Sequence, residues 1–189
     1  MNGVEASAWK DGGMDVRQRT VHTSGLGPAG LAGIRGLLDA AFDGDFSDED
    51  WDHGLGGMHA LVHRGGELVA HGSVVMRRVL HDGRSYRIGY VEGVAVRADL
   101  RRHGLGGLVM ASLERMIEGA YAFGALAASE TGAPLYRARG WRLWDGRIEV
   151  LGPAGVVRLP EEEGTTYVWG QAPPATAPLT FDWRDGDVL

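Results

Sequence analysis

The stretch Tyr90-Val-Glu-Gly-Val-Ala-Val-Arg-Ala-Asp-Leu-Arg-Arg-His-Gly-Leu-Gly-Gly107 decides how the chain is read. Val91, Val94 and Val96 give it the β-branched character of a strand. A charged turn follows, then a glycine-rich loop, and a helical pattern begins at once. Leu105, Leu108, Val109, Leu113, Met116 and Ile117 recur at spacings of three and four and predict a helix over Gly104–Gly119. A strand feeding a glycine loop at a helix N-terminus suits phosphates, because several N–H groups point one way and the helix dipole favours negative charge there. Glu92 stands inside the strand beside Gly93, and a carboxylate in an otherwise apolar strand needs a partner or a task.

Within the loop, Arg101-Arg-His-Gly104-Leu-Gly106 fits Arg/Gln-x-x-Gly-x-Gly/Ala. With 31 glycines in 189 residues, roughly one match to so loose a pattern arises by chance, so context has to decide. No Lys-Ser/Thr follows the glycines, which disfavours a P-loop. The glycine spacing and the missing preceding βαβ unit disfavour a dinucleotide fold.

Outward from the anchor, Ser85–Val96 is the return strand of a hairpin whose turn is Asp82-Gly83 and whose first strand is Leu68–Leu80. Met58–His63 precedes it through Gly65-Gly66. Val16–Thr23 predicts a first strand, and residues 1–15, small and Gly-rich, predict a disordered tail. Pro28–Phe42 predicts a helix, and Ser47 with Asp50 predicts a short capped helix over Asp48–His53. After the Gly104–Gly119 helix come a buried strand in Tyr121–Ala128 and a short helix in Thr131–Arg139 with Thr131 as its cap. Short strands follow in Gly146–Val150, Val156–Leu159 and Thr165–Trp169, and then an extended Pro-rich tail. This order predicts one α/β domain over residues 16–189. Its sheet is mixed and mostly antiparallel, flanked by helices, with a parallel crossover after the anchor strand.

Composition bounds the function. Cysteine is absent, which excludes disulfides, zinc-thiolate sites and cysteine nucleophiles. The net charge of −6 disfavours nucleic acid as a partner and is compatible with a cationic one. No apolar run approaches a membrane span and the N-terminus has no signal-peptide core, so cytoplasmic residence without a membrane partner is expected. His59 and His63 are four apart, but on a strand they lie roughly 13 Å from each other, so no metal site is expected.

The strand, loop and helix resemble the acetyl-CoA-binding motif of the GCN5-related N-acetyltransferase (GNAT) superfamily, whose fold the element order then implies. A narrower resemblance runs from about Thr20 onward. Phe42-Asp-Gly-Asp-Phe, Leu55-Gly-Gly-Met-His-Ala-Leu, Gly89-Tyr-Val-Glu-Gly-Val-Ala-Val-Arg-Ala-Asp, Leu135-Tyr-x-x-Arg-Gly-Trp and Asp182-Trp-Arg-x-Gly-Asp-Val are similar to the aminoglycoside 2′-N-acetyltransferases. The resemblance implies acetyl transfer from acetyl-CoA, as co-substrate, to the 2′-amine of aminoglycosides, with antibiotic resistance as the outcome. Val94 and Val96 are then the backbone contacts to the cofactor. Arg101, Arg102, Gly104, Gly106 and Gly107 hold its phosphates.

With no cysteine, direct attack in a ternary complex is the economical route. Glu92 is the candidate base, through water, and also a substrate ligand. Tyr136 is the candidate acid, and the Val94 N–H the oxyanion donor. The resemblance assigns the cationic antibiotic to Asp45, Asp50, Glu162, Asp187 and the C-terminal carboxylate of Leu189. Ala127, Glu162 and Leu189 depart from residues found in relatives, which bears on substrate preference. A homodimer is left open. Two other readings compete: an acetyltransferase of another cationic amine, such as a polyamine or cell-wall amino sugar, and a non-catalytic binder of acetyl-CoA or aminoglycoside.

Overall fold

Asp82 (φ 49°) and Gly83 (φ 71°) both adopt left-handed backbone, the turn that matches the natural twist of paired strands. They join β4 (Glu67–His81) to β5 (Arg84–Val96). This computed structural model describes residues 6–11 and 14–189. Its described residues fall into two compact units, one from the residues up to Val75 together with Val91–Arg115, the other from Met76–Tyr90 together with Met116–Leu189. The boundary falls inside β4, β5 and helix α3 (Leu105–Ala120).

In the first unit, β1 (Ala6–Asp11), β2 (Met14–His22), β3 (Met58–Arg64) and β4 are successive antiparallel neighbours. Part of the segment expected to be disordered is thus the strand β1, laddered from Ala6↔Arg19 to Asp11↔Met14. Its sequence signal is the Gly12-Gly13 dipeptide between the strands, a hairpin cue that the small-residue composition obscured. Residues 1–5, 12 and 13 lie outside the described residues.

Helix α1 (Gly27–Ala41) opens on Pro28 and buries Ile34, Leu37 and Leu38. These pack with Val21, Leu26, Leu61 and Ala95 in one apolar cluster, each Val, Leu or Ile side chain contributing about 1.5–3 kcal/mol. Helix α2 (Asp48–His53) carries the predicted capping box: Ser47 Oγ accepts the Asp50 N–H at 3.0 Å, and Asp50 Oδ2 accepts the Ser47 N–H at 2.9 Å. The first half of α3 lies so close to β4 that a Cβ on Gly72 would stand 2.7 Å from Val109 Cγ1. The buried Gln18 fixes this helix, donating to Leu108 O and Ser112 Oγ, each at 2.7 Å.

In the second unit, β5 pairs in parallel with β6 (Gly124–Ala127), the crossover expected after the anchor strand. Antiparallel strands β10 (Thr166–Trp169) and β7 (Arg142–Leu143) continue from β6. The tail contains a further strand, β11 (Leu179–Asp182), antiparallel to β4 and parallel to β8 (Ile148–Gly152); β8 also pairs with β9 (Gly155–Arg158). Helix α4 (Ala133–Ala138) starts after Gly132. Thr131 is not its cap; Ser129 Oγ takes the Gly132 N–H at 3.2 Å instead. Among the described residues no helix is long and apolar enough to cross a membrane.

Candidate active site

Within the unbroken anchor strand the backbone turns left-handed where the sequence places a carboxylate beside a glycine. Gly93 sits at φ 55° inside β5, the left-handed conformation of a glycine bulge. Two side chains of β4 reach the carbonyls there. His71 Nδ1 donates to Gly93 O at 2.8 Å, and Ser73 Oγ donates to Glu92 O at 3.4 Å. Glu92, Val94 and Val96 are half-buried, so this segment is open on part of its surface.

Beyond the strand the predicted phosphate loop is exposed from Arg101 to Gly104. Arg102 (φ 68°) and Gly104 (φ 81°) are both left-handed. The first helical bond of α3 runs from Leu108 N to Gly104 O, so the N–H groups of Leu105, Gly106 and Gly107 precede the intrahelical ladder and face outward from it. The space beside Gly104 is open, with nothing within 4 Å of where a Cβ would stand, and free N–H groups at a helix N-terminus suit an anionic group. Arg101 is partly committed elsewhere: Nε donates to Val96 O at 3.3 Å and Nη2 to Ala41 O at 3.1 Å, tying the strand end to the end of α1.

Of the carboxylates predicted for a cation, Asp45 and Asp50 belong, with Glu92, to this first unit. Asp45 is exposed, whereas one oxygen of Asp50 is engaged in the α2 capping box. The remaining ones lie in the second unit. Glu162 is half-buried and accepts Thr165 Oγ1 at 3.0 Å. Burial raises its pKa, and the charges of Glu161 and Asp187 add to the rise. The structure thus brings Glu162 and Asp187, 25 positions apart by subtraction of their numbers, within electrostatic reach of each other. Two carboxylates that repel are stabilised together by a cation.

The tail that carries Asp187 and Leu189 is held by a residue sequence reasoning missed. Arg77 is 2% exposed. Its Nη1 donates to Val188 O at 2.6 Å, Nη2 to Asp182 O at 2.6 Å and Nε to Asp182 Oδ1 at 2.7 Å. Its guanidinium lies 5.0 Å from the ring centre of Tyr90 and 5.2 Å from that of Phe181. Arg184 Nε adds a bond to Val188 O at 3.2 Å.

Tyr136 is buried in α4, its ring close to Trp141 and Tyr167. Burial pushes its phenol up to about 12, which keeps the proton on the oxygen at neutral pH. Gly132 leaves room for the ring: a Cβ there would lie 3.3 Å from Tyr136 Cε2.

The histidines pair differently from the sequence spacing considered above. His59 Nδ1 meets His71 Nε2 at 2.9 Å, while His63 lies outside that contact. Among the described residues no group of three or more His, Asp or Glu side chains is arranged to hold a metal ion.

The profile of the acetyltransferase (GNAT) domain matches residues 27–144. The chain is 47% identical over 190 aligned positions to a Mycolicibacterium fortuitum protein named aminoglycoside 2′-N-acetyltransferase, covering 97% of each. In overall fold it is similar to the GNAT family N-acetyltransferase YhbS from Escherichia coli, solved with CoA (TM-score 0.59, 16% identity, 98% of this chain and 92% of that one). It is also similar to a GNAT family acetyltransferase from Brucella melitensis solved with acetyl-CoA (TM-score 0.56, 13% identity, 98% of each chain).

Proposed function

Given that the chain belongs to the GNAT acetyltransferase family and to the aminoglycoside 2′-N-acetyltransferase group within it, we propose that it moves the acetyl group of acetyl-CoA to the 2′-amine of an aminoglycoside. The observation that carries this reading is the likeness to the Mycolicibacterium fortuitum protein over 97% of both chains. The anion cradle at Arg102–Gly107 and the Glu162–Asp187 pair support it, one suited to phosphates and the other to ammonium groups.

Acetyl-CoA supplies an activated thioester carbonyl. Glu92 takes a proton from the substrate ammonium through a water molecule, a contribution of about 10²–10⁴-fold for a positioned base. The freed nitrogen forms the new C–N bond as the C–S bond breaks and passes its second proton to water, and the proton taken up by Glu92 leaves to solvent. The Val94 N–H stabilises the negative charge that develops on the carbonyl oxygen. Tyr136, held neutral by burial, gives its phenolic proton to the departing sulfur and regains one from water. Asp45, Asp50, Glu162, Asp187 and the Leu189 carboxylate serve the remaining ammonium groups. Positioning the two reactants together supplies much of the rate.

The test is release of free thiol from acetyl-CoA by the purified protein when tobramycin is added, with spermidine and glucosamine as competing acceptors. Release with tobramycin well above either competitor is expected. Preferred turnover of spermidine or glucosamine would replace the acceptor. No turnover of any, with binding intact, would make the protein a non-catalytic binder.

A further inference from the structure

We propose that Thr23, His59 and His71 are positioning residues that aim the Val94 N–H by gripping the Gly93 carbonyl from behind. The inference rests on the acetyl-transfer reading above, in which that N–H serves the thioester oxygen.

The three side chains form one line of hydrogen bonds that ends on the anchor strand. Thr23 Oγ1 lies 2.8 Å from His59 Nε2, His59 Nδ1 lies 2.9 Å from His71 Nε2, and His71 Nδ1 lies 2.8 Å from Gly93 O. Register explains the central contact. Across β3 and β4, His59 faces Ser73 and Leu61 faces His71, so the two imidazoles are diagonal neighbours on one face of the sheet.

The protons in this line have a single arrangement. A carbonyl only accepts, so His71 Nδ1 carries the hydrogen. Both rings are almost wholly buried, at 1% and 2% exposure, and burial lowers their pKa values to about 4 for His59 and about 3 for His71. In a neutral His71 the other nitrogen, Nε2, accepts, so His59 Nδ1 donates to it. His59 Nε2 then accepts from the Thr23 hydroxyl. Gly57 O, which also holds the Thr23 N–H at 3.0 Å, lies farther from that hydroxyl, at 3.2 Å. Gly56 N–H completes the line by donating to Thr23 Oγ1 at 2.9 Å.

The consequence at Gly93 follows from peptide geometry. The carbonyl of Gly93 and the N–H of Val94 belong to one planar trans unit and point in opposite directions. A donor fixed on the carbonyl therefore fixes the direction of the N–H on the other side. It also polarises the unit, which strengthens the N–H as a donor. Without a second anchor, a glycine at φ 55° can relax toward other backbone conformations. Apolar side chains would fill the space of the two histidines without desolvating four ring nitrogens. The retained polar line is matched at every nitrogen and terminates at the one left-handed residue of the anchor strand.

Two measurements test this. Nitrogen-15 spectra of the histidine-labelled protein should show both His59 and His71 with hydrogen on Nδ1 and none on Nε2, unchanged from pH 9 to pH 5.5. An Nε2–H tautomer or an imidazolium at His71 would overturn the proposal, whatever the activity. Kinetically, His71→Leu should lower kcat about 10- to 100-fold, short of the full loss of an oxyanion donor, while KM for acetyl-CoA moves less than about threefold. His71→Asn places an amide N–H the same number of bonds from Cα as Nδ1 and should restore kcat to within about fivefold of the unsubstituted protein. Equal impairment of both variants, or an unchanged kcat in His71→Leu, would refute the positioning role. If His71→Leu fails to fold, the spectra and His71→Asn decide. If the unsubstituted protein transfers no acetyl group, the functional reading fails, while the tautomer measurement still decides the geometry.

Discussion

Arg77→Met should loosen the C-terminal tail. The arginine is buried between Tyr90 and Phe181 and makes three short bonds, two to Asp182 and one to Val188 O. Burial, and after it the Arg184 charge, lowers its pKa, with Asp182 opposing. Breaking a buried charge pair by removing one partner costs about 3–5 kcal/mol. Two features reduce that figure. Methionine refills most of the volume between the rings, and the Asp182 side chain is 41% exposed, so its carboxylate rehydrates. The net loss should be about 2–4 kcal/mol. Because one of the bonds holds Val188, much of the loss should appear as local opening of the tail. In the regime where opening and closing are fast, carboxypeptidase should then trim the terminal residues about 30- to 1,000-fold faster. With Asp187 and Leu189 on that tail, KM for the aminoglycoside should rise while KM for acetyl-CoA holds. Urea unfolding gives the global loss and timed digestion the local one. A variant with an undiminished rate of tail protection would refute the reasoning, as would one whose aminoglycoside KM is unchanged.

Other consequences are open to measurement. Below pH 6.5 the unfolded chain protonates His59 and His71, whereas the native rings resist until about 4 and about 3. Unfolding therefore binds protons, and stability drops as the pH is lowered, by up to about 1.4 kcal/mol per unit for each ring. Urea titrations at several pH values should show this between pH 6.5 and 4.5, and a double His59→Leu/His71→Leu variant should be flatter; parallel curves would exclude it. Gly93→Ala should cost roughly 1–2 kcal/mol for a left-handed alanine, more if Leu38, 3.3 Å from the new Cβ, cannot move. Thermal melts check it, and a neutral result would mean that the bulge does not persist. Tyr136→Phe should lower kcat by about 10²-fold, the lower end for a general acid. Since the ring stays in place against Trp141 and Tyr167, stability should change by less than about 1 kcal/mol; a large loss with intact kcat would assign Tyr136 to packing.

Local signals made most elements legible. The spacing of Leu105, Val109 and Leu113 located α3, Ser47 with Asp50 gave the capping box, and Asp82-Gly83 gave the hairpin. Glu92, singled out for its charge, stands next to the residue at which the anchor strand turns left-handed. What escaped was non-local. Strand β11 is four residues long and forms only because β4 and β8 supply its ladder, so its Pro-rich surroundings read as coil. Arg77 looked like one charge in an alternating strand, and its acceptors lie 105 and 111 positions away. His59 was weighed against His63 on its own strand, but its partner His71 is set by the β3–β4 register, which includes a shift between Val62 and His63. Thr131 looked like a cap because its hydroxyl carries that chemistry, but the N-cap is Gly132, with no side-chain cap bond.

The most direct test compares two aminoglycosides that differ at one position, a 2′-amine in one and a 2′-hydroxyl in the other, with the product mapped by mass and NMR. Turnover of the amine alone, with a single acetyl group on the 2′-nitrogen, is the predicted result. Equal turnover of both, or acetylation at another nitrogen, would contradict the assignment.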